Sequence, residues 1–125
     1  EKTPSEDDSY THRSNGNQLK GNFKVVVLVD GGSASASEIM AGALQEHGIA
    51  KLVGTQTFGK GSVQELVKLK DKTQLKITVA EWLTPNGVSI SKHGLTPDVV
   101  VEFDEEAYKK DKTDNQMEEA VKLLK

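Results

Sequence analysis

The sequence predicts an α/β domain with a mixed sheet, and three stretches carry that prediction. The run Phe23 to Val29, continuous in valine and leucine from Val25, stops at Asp30-Gly31-Gly32, the pattern of a central, parallel strand covered on both faces. From Ala36 the apolar positions recur at Ile39, Met40, Ala43 and Leu44, the stripe of a core-facing helix. Between residues 63 and 83 the spacing of Val63, Leu66 and Val67 would also suit a helix, but from Leu66 to Leu83 apolar and polar side chains alternate on either side of a polar turn at Asp71 to Thr73, which favours a hairpin.

The elements follow in chain order. Residues 1–22 carry few aliphatic side chains and many Ser, Asn, Gly and charged residues, too little apolar surface to offset the entropy of ordering, so they read as a polar loop or tail. The strand, glycine turn and helix of residues 23–46 open an α/β unit, and the helix is expected to end near His47-Gly48. "KLVG" at 51–54 returns as a short strand to the same sheet, with a right-handed crossover as the default. After the hairpin, "TPNG" at 84–87 is turn chemistry, and "GLTPDVVVEF" at 94–103 supplies one more short strand. Trp82, the sole tryptophan, is expected to pack in the core of the hairpin. Residues 23–104 thus form the core, and 105–125 read as a linker and an amphipathic helix, with Thr113 and Gln116 at capping-box spacing before Met117, Ala120, Val121 and Leu124. That last stripe suits packing on the chain's own core or on a partner.

Composition removes several function classes. A chain of 125 residues supports one modest core. Its net charge of -3, from 16 basic and 19 acidic residues spread along the chain, offers no basic stripe for tracking phosphates, so nucleic acid is not an expected partner. The absence of cysteine excludes disulfides, thiolate metal sites and a cysteine nucleophile. No apolar run approaches the length of a membrane span, the first residues are too polar for a signal peptide, and a start at Glu1 is what a mature or excised piece would show.

Chemistry concentrates in two loops. In "GGSASAS", residues 31–37, three serines stand where a buried strand gives way to a helix, a place where a hydroxyl meets exposed backbone N–H groups. Ser35 and Glu38 also have capping-box spacing, so taken alone Ser35 reads first as a structural helix cap, and chemistry there needs a second group. The serine elbow of α/β-hydrolases is disfavoured, because its second glycine is missing here. His12, His47 and His93 sit in polar surroundings and read as solvated histidines. In "TFGKGSVQ", residues 57–64, Lys60 lies between two glycines; it fits a solvated turn lysine, a general base kept neutral by burial, or a phosphate loop. The phosphate reading has Gly54, Gly59 and Lys60 at Walker spacing but puts Gly61 where Ser or Thr is required, and the next segment looks like a strand.

Taken together, "VVVLVDGGSASASEIMAGAL", "GTQTFGKGSVQ", "LKITVAEWLTPNG" and "ISKHGLTPDVVVE" resemble the carboxyl-terminal processing peptidases, or tail-specific proteases, over Phe23 to Glu102. The resemblance implies a core related to the crotonase and Clp-type protease folds, and a serine endopeptidase that cuts protein substrates near their C-termini with a Ser/Lys dyad. On this sequence it places the nucleophile at Ser35, the lysine base at Lys60, the residue that holds the lysine at Gln64, and one oxyanion N–H at Ala36, and it leaves Ser33 and Ser37 with structural roles. Because Lys60 must be neutral to take the serine proton, a carboxylate facing it would work against the chemistry, so Glu38 is expected to face away and cap the helix. The resemblance also implies an upstream glycine-rich block with a second oxyanion donor and a PDZ domain, neither of which occurs in residues 1–125, so this piece alone is expected to be weakly active or inert. It implies protein or peptide C-termini as partners, the remaining protease core and PDZ domain in a parent chain, and an extracytoplasmic setting, and it is compatible with a homo-oligomer and a membrane anchor. No cofactor and no metal is required. The alternative is a non-catalytic peptide-binding or scaffold domain that keeps the fold.

Overall fold

The computed structural model describes residues 21–70 and 72–125 together with Arg13 and Gly16, so the expected polar tail lies almost wholly outside the described residues. The element order is β1 (Val25–Val29), α1 (Ala36–Glu46), β2 (Ala50–Gly54), β3 (Ser62–Lys68), β4 (Gln74–Glu81), β5 (Val99–Val100), α2 (Glu105–Asp111) and α3 (Asn115–Leu124). This is the expected α/β arrangement. β1, β2 and β5 form a parallel sheet in the order β1-β2-β5, and β3 and β4 form a separate antiparallel hairpin.

Strand β1 departs from expectation. Its apolar run predicts a central strand, yet among the described residues it stands at the edge, with Leu28 38% exposed, and β2 takes the centre. An apolar run reports how well a strand is covered and carries no information on which neighbours hydrogen-bond to it. Here β2 sits between the strand that precedes α1 and the one that follows the 90–98 segment, and Leu52 and Val53 are fully buried. Asp98 locks this arrangement by accepting from Leu52 N at 2.8 Å, Lys51 Nζ at 3.0 Å and Gln45 Nε2 at 3.1 Å, which ties α1, β2 and the entry to β5 to one carboxylate.

The core consists of Val29, Ala41, Leu52, Ile90 and Leu95, with Val27, Ile39 and Trp82 packed against it, so Trp82 joins the main core as well as ending the hairpin. On α1 the buried positions are Glu38, Ala41 and Gly42, while Met40, expected to face inward, is 57% exposed. Small side chains explain the shift. A Cβ on Gly42 would lie 3.1 Å from Leu95 Cδ2, so the helix lies too close to the core for a methionine on that face.

Gly54 closes β2 in a way that only glycine permits. Its φ of 128° is left-handed territory, and a Cβ there would lie 2.0 Å from the Val29 carbonyl oxygen, which accepts from Thr55 N. Gly54→Ala should therefore lower stability by about 3 kcal/mol or more, through strain and loss of this pairing, read as a drop in the urea midpoint at unchanged slope.

The C-terminal segment differs from expectation at two points. Residues 105–111 are helical where a linker was expected: Asp104 accepts from Ala107 N at 2.9 Å, Glu105 and Glu106 sit in the first turn, and Lys109 and Lys110 in the last. The cap of α3 is Asp114, which accepts from Met117 N at 2.9 Å, while Gln116 reaches back to the Val101 carbonyl at 2.7 Å. An aspartate at the N-cap offers a charged acceptor to the helix's free N–H groups, which outweighs the neighbouring threonine. α3 packs on the chain's own sheet, against β1 and β2, with Ala120 buried.

Candidate active site

The chain leaves β1 through a turn built by its own side chains. Asp30 Oδ1 accepts from Gly32 N and from Ser33 Oγ, both at 3.0 Å, and Ser33 Oγ accepts from Asp30 N at 3.1 Å. Ser33 is therefore spent on the turn, as expected.

Ser35 follows at the N-cap of α1 with φ 56° and ψ -118°, the conformation of the first central residue of a II′ turn, which glycine dominates. A serine held there costs roughly 1–3 kcal/mol and persists only where the surroundings enforce it. Ser35 N donates to Glu38 Oε2 at 2.9 Å and Ile39 N donates to the Ser35 carbonyl at 3.0 Å, which fixes the peptide on both sides. The N–H of Ala36, the next residue, meets no acceptor among the described residues and opens the first turn of the helix, where the backbone field favours negative charge.

The lysine loop is pinned at four consecutive N–H groups. Thr57 N donates to the Leu95 carbonyl at 3.1 Å, Phe58 N to the Ser33 carbonyl at 3.0 Å, Gly59 N to Glu38 Oε1 at 2.7 Å and Lys60 N to Glu38 Oε2 at 2.9 Å. Residues 62–68 then form a strand, which removes the loop-to-helix context a phosphate loop needs.

Glu38 joins the two loops. Its side chain is 0% exposed and accepts from Ser35 N, Thr57 Oγ1, Gly59 N and Lys60 N. Oε2 lies 2.9 Å from the backbone nitrogens of both Ser35 and Lys60, so those nitrogens stand within twice that distance of each other. Burial pushes the Glu38 carboxyl pKa up, but the bonds from Thr57, Gly59, Lys60 and Ser35 outweigh it and hold the group below the ordinary glutamate value, hence ionised at neutral pH. This corrects the expectation that Glu38 faces away. It does cap the Ser35 N–H, yet the same carboxylate turns inward, because the backbone amides of the lysine loop satisfy its charge and no ion pair with Lys60 is needed.

Side-chain contacts among the other expected residues are open. Ser35 is half-buried, Lys60 and Gln64 are exposed, and no hydrogen bond joins Ser35 Oγ, Lys60 Nζ and the Gln64 amide. The β3–β4 register shifts between Val63 and Gln64, which pair with Ala80 and Thr78, so the extra residue lies on β4 opposite this part of β3. His47 and His93 are exposed, and His12 lies outside the described residues. The roles of Glu38 and Thr57 in joining the loops were not legible in the sequence: the Ser35 to Glu38 spacing announces a cap, but nothing local links it to residues 57–60.

The model of peptidase family S41 matches residues 1–101. The chain belongs to this family. Among its relatives, the carboxy-terminal-processing protease of Bartonella bacilliformis is 56% identical over 78 residues, 62% of this chain and 18% of that protein. The carboxy-terminal processing protease CtpB of Bacillus subtilis is 49% identical over 79 residues, 63% of this chain and 16% of that protein. Among solved structures, the photosystem II D1 C-terminal processing protease superposes with a TM-score of 0.67 at 44% identity, covering 71% of this chain and 23% of that one. The tricorn protease gives a TM-score of 0.69 at 26% identity, covering 81% and 10%. The mixed α/β core of this S41 chain is thus shared with solved proteases, and the chain spans under a quarter of the length of the relatives just named. Other relatives are named chloroplastic, and among the described residues no helix is long and apolar enough to cross a membrane.

Proposed function

We propose that this S41 chain carries the nucleophile and base of a serine endopeptidase that cuts protein substrates near their C-termini. The supporting observation is the single carboxylate of Glu38 that holds the backbones of Ser35 and Lys60 side by side. Ser35 Oγ attacks the scissile carbonyl carbon while its proton passes to the neutral amine of Lys60. The resulting oxyanion takes the free N–H of Ala36. On collapse the C–N bond breaks, the Lys60 ammonium returns its proton to the leaving amine, and water activated by the same lysine hydrolyses the acyl-enzyme. Gln64, through its amide oxygen, accepts from the Lys60 amine and aims its lone pair.

Lys60 is exposed in the described structure, so the dry surroundings that favour a neutral amine come with bound substrate and with further parts of a parent protein. Residues 1–125 by themselves would supply one oxyanion donor and turn over slowly. The relatives' names and the family point to protein C-termini as substrates, and the reading includes a PDZ domain and the remaining protease core in a parent chain, a homo-oligomer, and an extracytoplasmic setting.

The test is cleavage of an unfolded protein by the full-length gene product and by its Lys60→Ala form from about pH 6 to about pH 10. Loss of activity in the variant, with wild-type activity rising as the amine deprotonates, supports the reading. Equal activity in the two proteins overturns the assignment of Lys60 as base.

A further inference from the structure

Phe58 is 64% exposed, two residues before Lys60, on a loop whose backbone has no freedom to bury it. Its own N–H is bonded to the Ser33 carbonyl at 3.0 Å, two residues before Ser35, and the N–H groups on either side, Thr57 and Gly59, are bonded to Leu95 and Glu38. The ring is thus presented by a rigid frame shared with both Ser35 and Lys60. A large aromatic side chain left in water forgoes the gain from burying it, and rigid aromatics at such positions are the anchors that binding surfaces favour, because they lose little entropy on contact.

We propose that Phe58 is a specificity-determining residue that packs against an apolar side chain of the polypeptide substrate next to the scissile bond. This rests on the proteolytic reading above. The occupant is a substrate side chain because Phe58 stands on the loop that carries Lys60 and its N–H is bonded to the loop that carries Ser35, where a substrate backbone must run for its carbonyl to reach Ser35. Burying a ring of this size accounts for about tenfold to a hundredfold in kcat/KM.

The experiment measures kcat/KM of the full-length gene product and its Phe58→Ala and Phe58→Leu forms on fluorogenic peptides that differ only in leucine or serine at a position flanking the scissile bond. The wild type should prefer leucine by tenfold or more. In Phe58→Ala the loss on the leucine peptide should exceed the loss on the serine peptide by at least tenfold, and Phe58→Leu should restore most of the preference. An unchanged preference in Phe58→Ala, or equal losses on both peptides, overturns the proposal while leaving the proteolytic reading standing. A lower thermal midpoint in Phe58→Ala means that the ring is covered by the protein itself, which also overturns it. A wild type that cleaves neither peptide nor an unfolded protein overturns the proteolytic reading and this inference with it.

Discussion

Ser35→Ala in the full-length gene product should lower kcat by a thousandfold or more while lowering stability by no more than about 1 kcal/mol. Ser35 Oγ contributes to the fold through the capping box with Glu38 at the start of α1, and alanine keeps the Cβ and therefore the same backbone strain. Ser35→Gly separates function from strain more sharply. Glycine accepts φ 56° without cost, so this variant should lose cleavage equally yet gain about 1 kcal/mol in urea unfolding. A residue placed against its own backbone preference, where a stabilising alternative is one substitution away, is what a nucleophile held for attack requires. Cleavage retained in either variant would remove Ser35 from the chemistry, and a Ser35→Gly protein no more stable than wild type would show that the frame relaxes the strain.

Glu38→Ala should cost about 3 kcal/mol or more of folding stability, because the Ser35, Thr57, Gly59 and Lys60 donors lose their shared acceptor in a site with no room for solvent. Glu38→Gln keeps one oxygen but turns an NH₂ toward backbone donors, so it should cost less than alanine and still be destabilising. Both should lower kcat by about a hundredfold, since a shift of about 1 Å between the Ser35 and Lys60 loops disrupts the attack geometry. The carboxyl's folded pKa lies below its unfolded value, so its contribution is present above the ordinary glutamate pKa and is lost as pH falls through the lowered folded value. Wild-type stability should decline across that acid window more steeply than that of Glu38→Gln; Asp98 and Asp111, whose pKa values are also lowered, contribute to the decline that remains in the variant. Parallel urea midpoints against pH for the two proteins would contradict the assigned role of Glu38.

Much of the fold was legible because it rests on local periodicity. The apolar run of β1, the alternation of β3 and β4 around their turn, and the 3.6-residue recurrence in α1 and α3 each identify an element from side chains a few positions apart. The serine and lysine loops could likewise be singled out, since Ser35 and Lys60 each stand among small residues at the end of an element. What periodicity leaves open is phase and partner. The face of α1 that turns inward was decided by the small side chains of Ala41 and Gly42 beneath Leu95, so Met40 ended outside although it fits the stripe. The centre of the sheet went to β2 because β5 returns to its far side. Helix α2 was missed because it buries no side chain, which leaves only its caps and end charges as a signal. By itself the sequence determined most of the element types and singled out the serine and lysine loops. Tertiary structure alone decided that those loops meet, because the acceptor that joins them sits on one and its donors on the other, too far apart in sequence for any local rule to pair them.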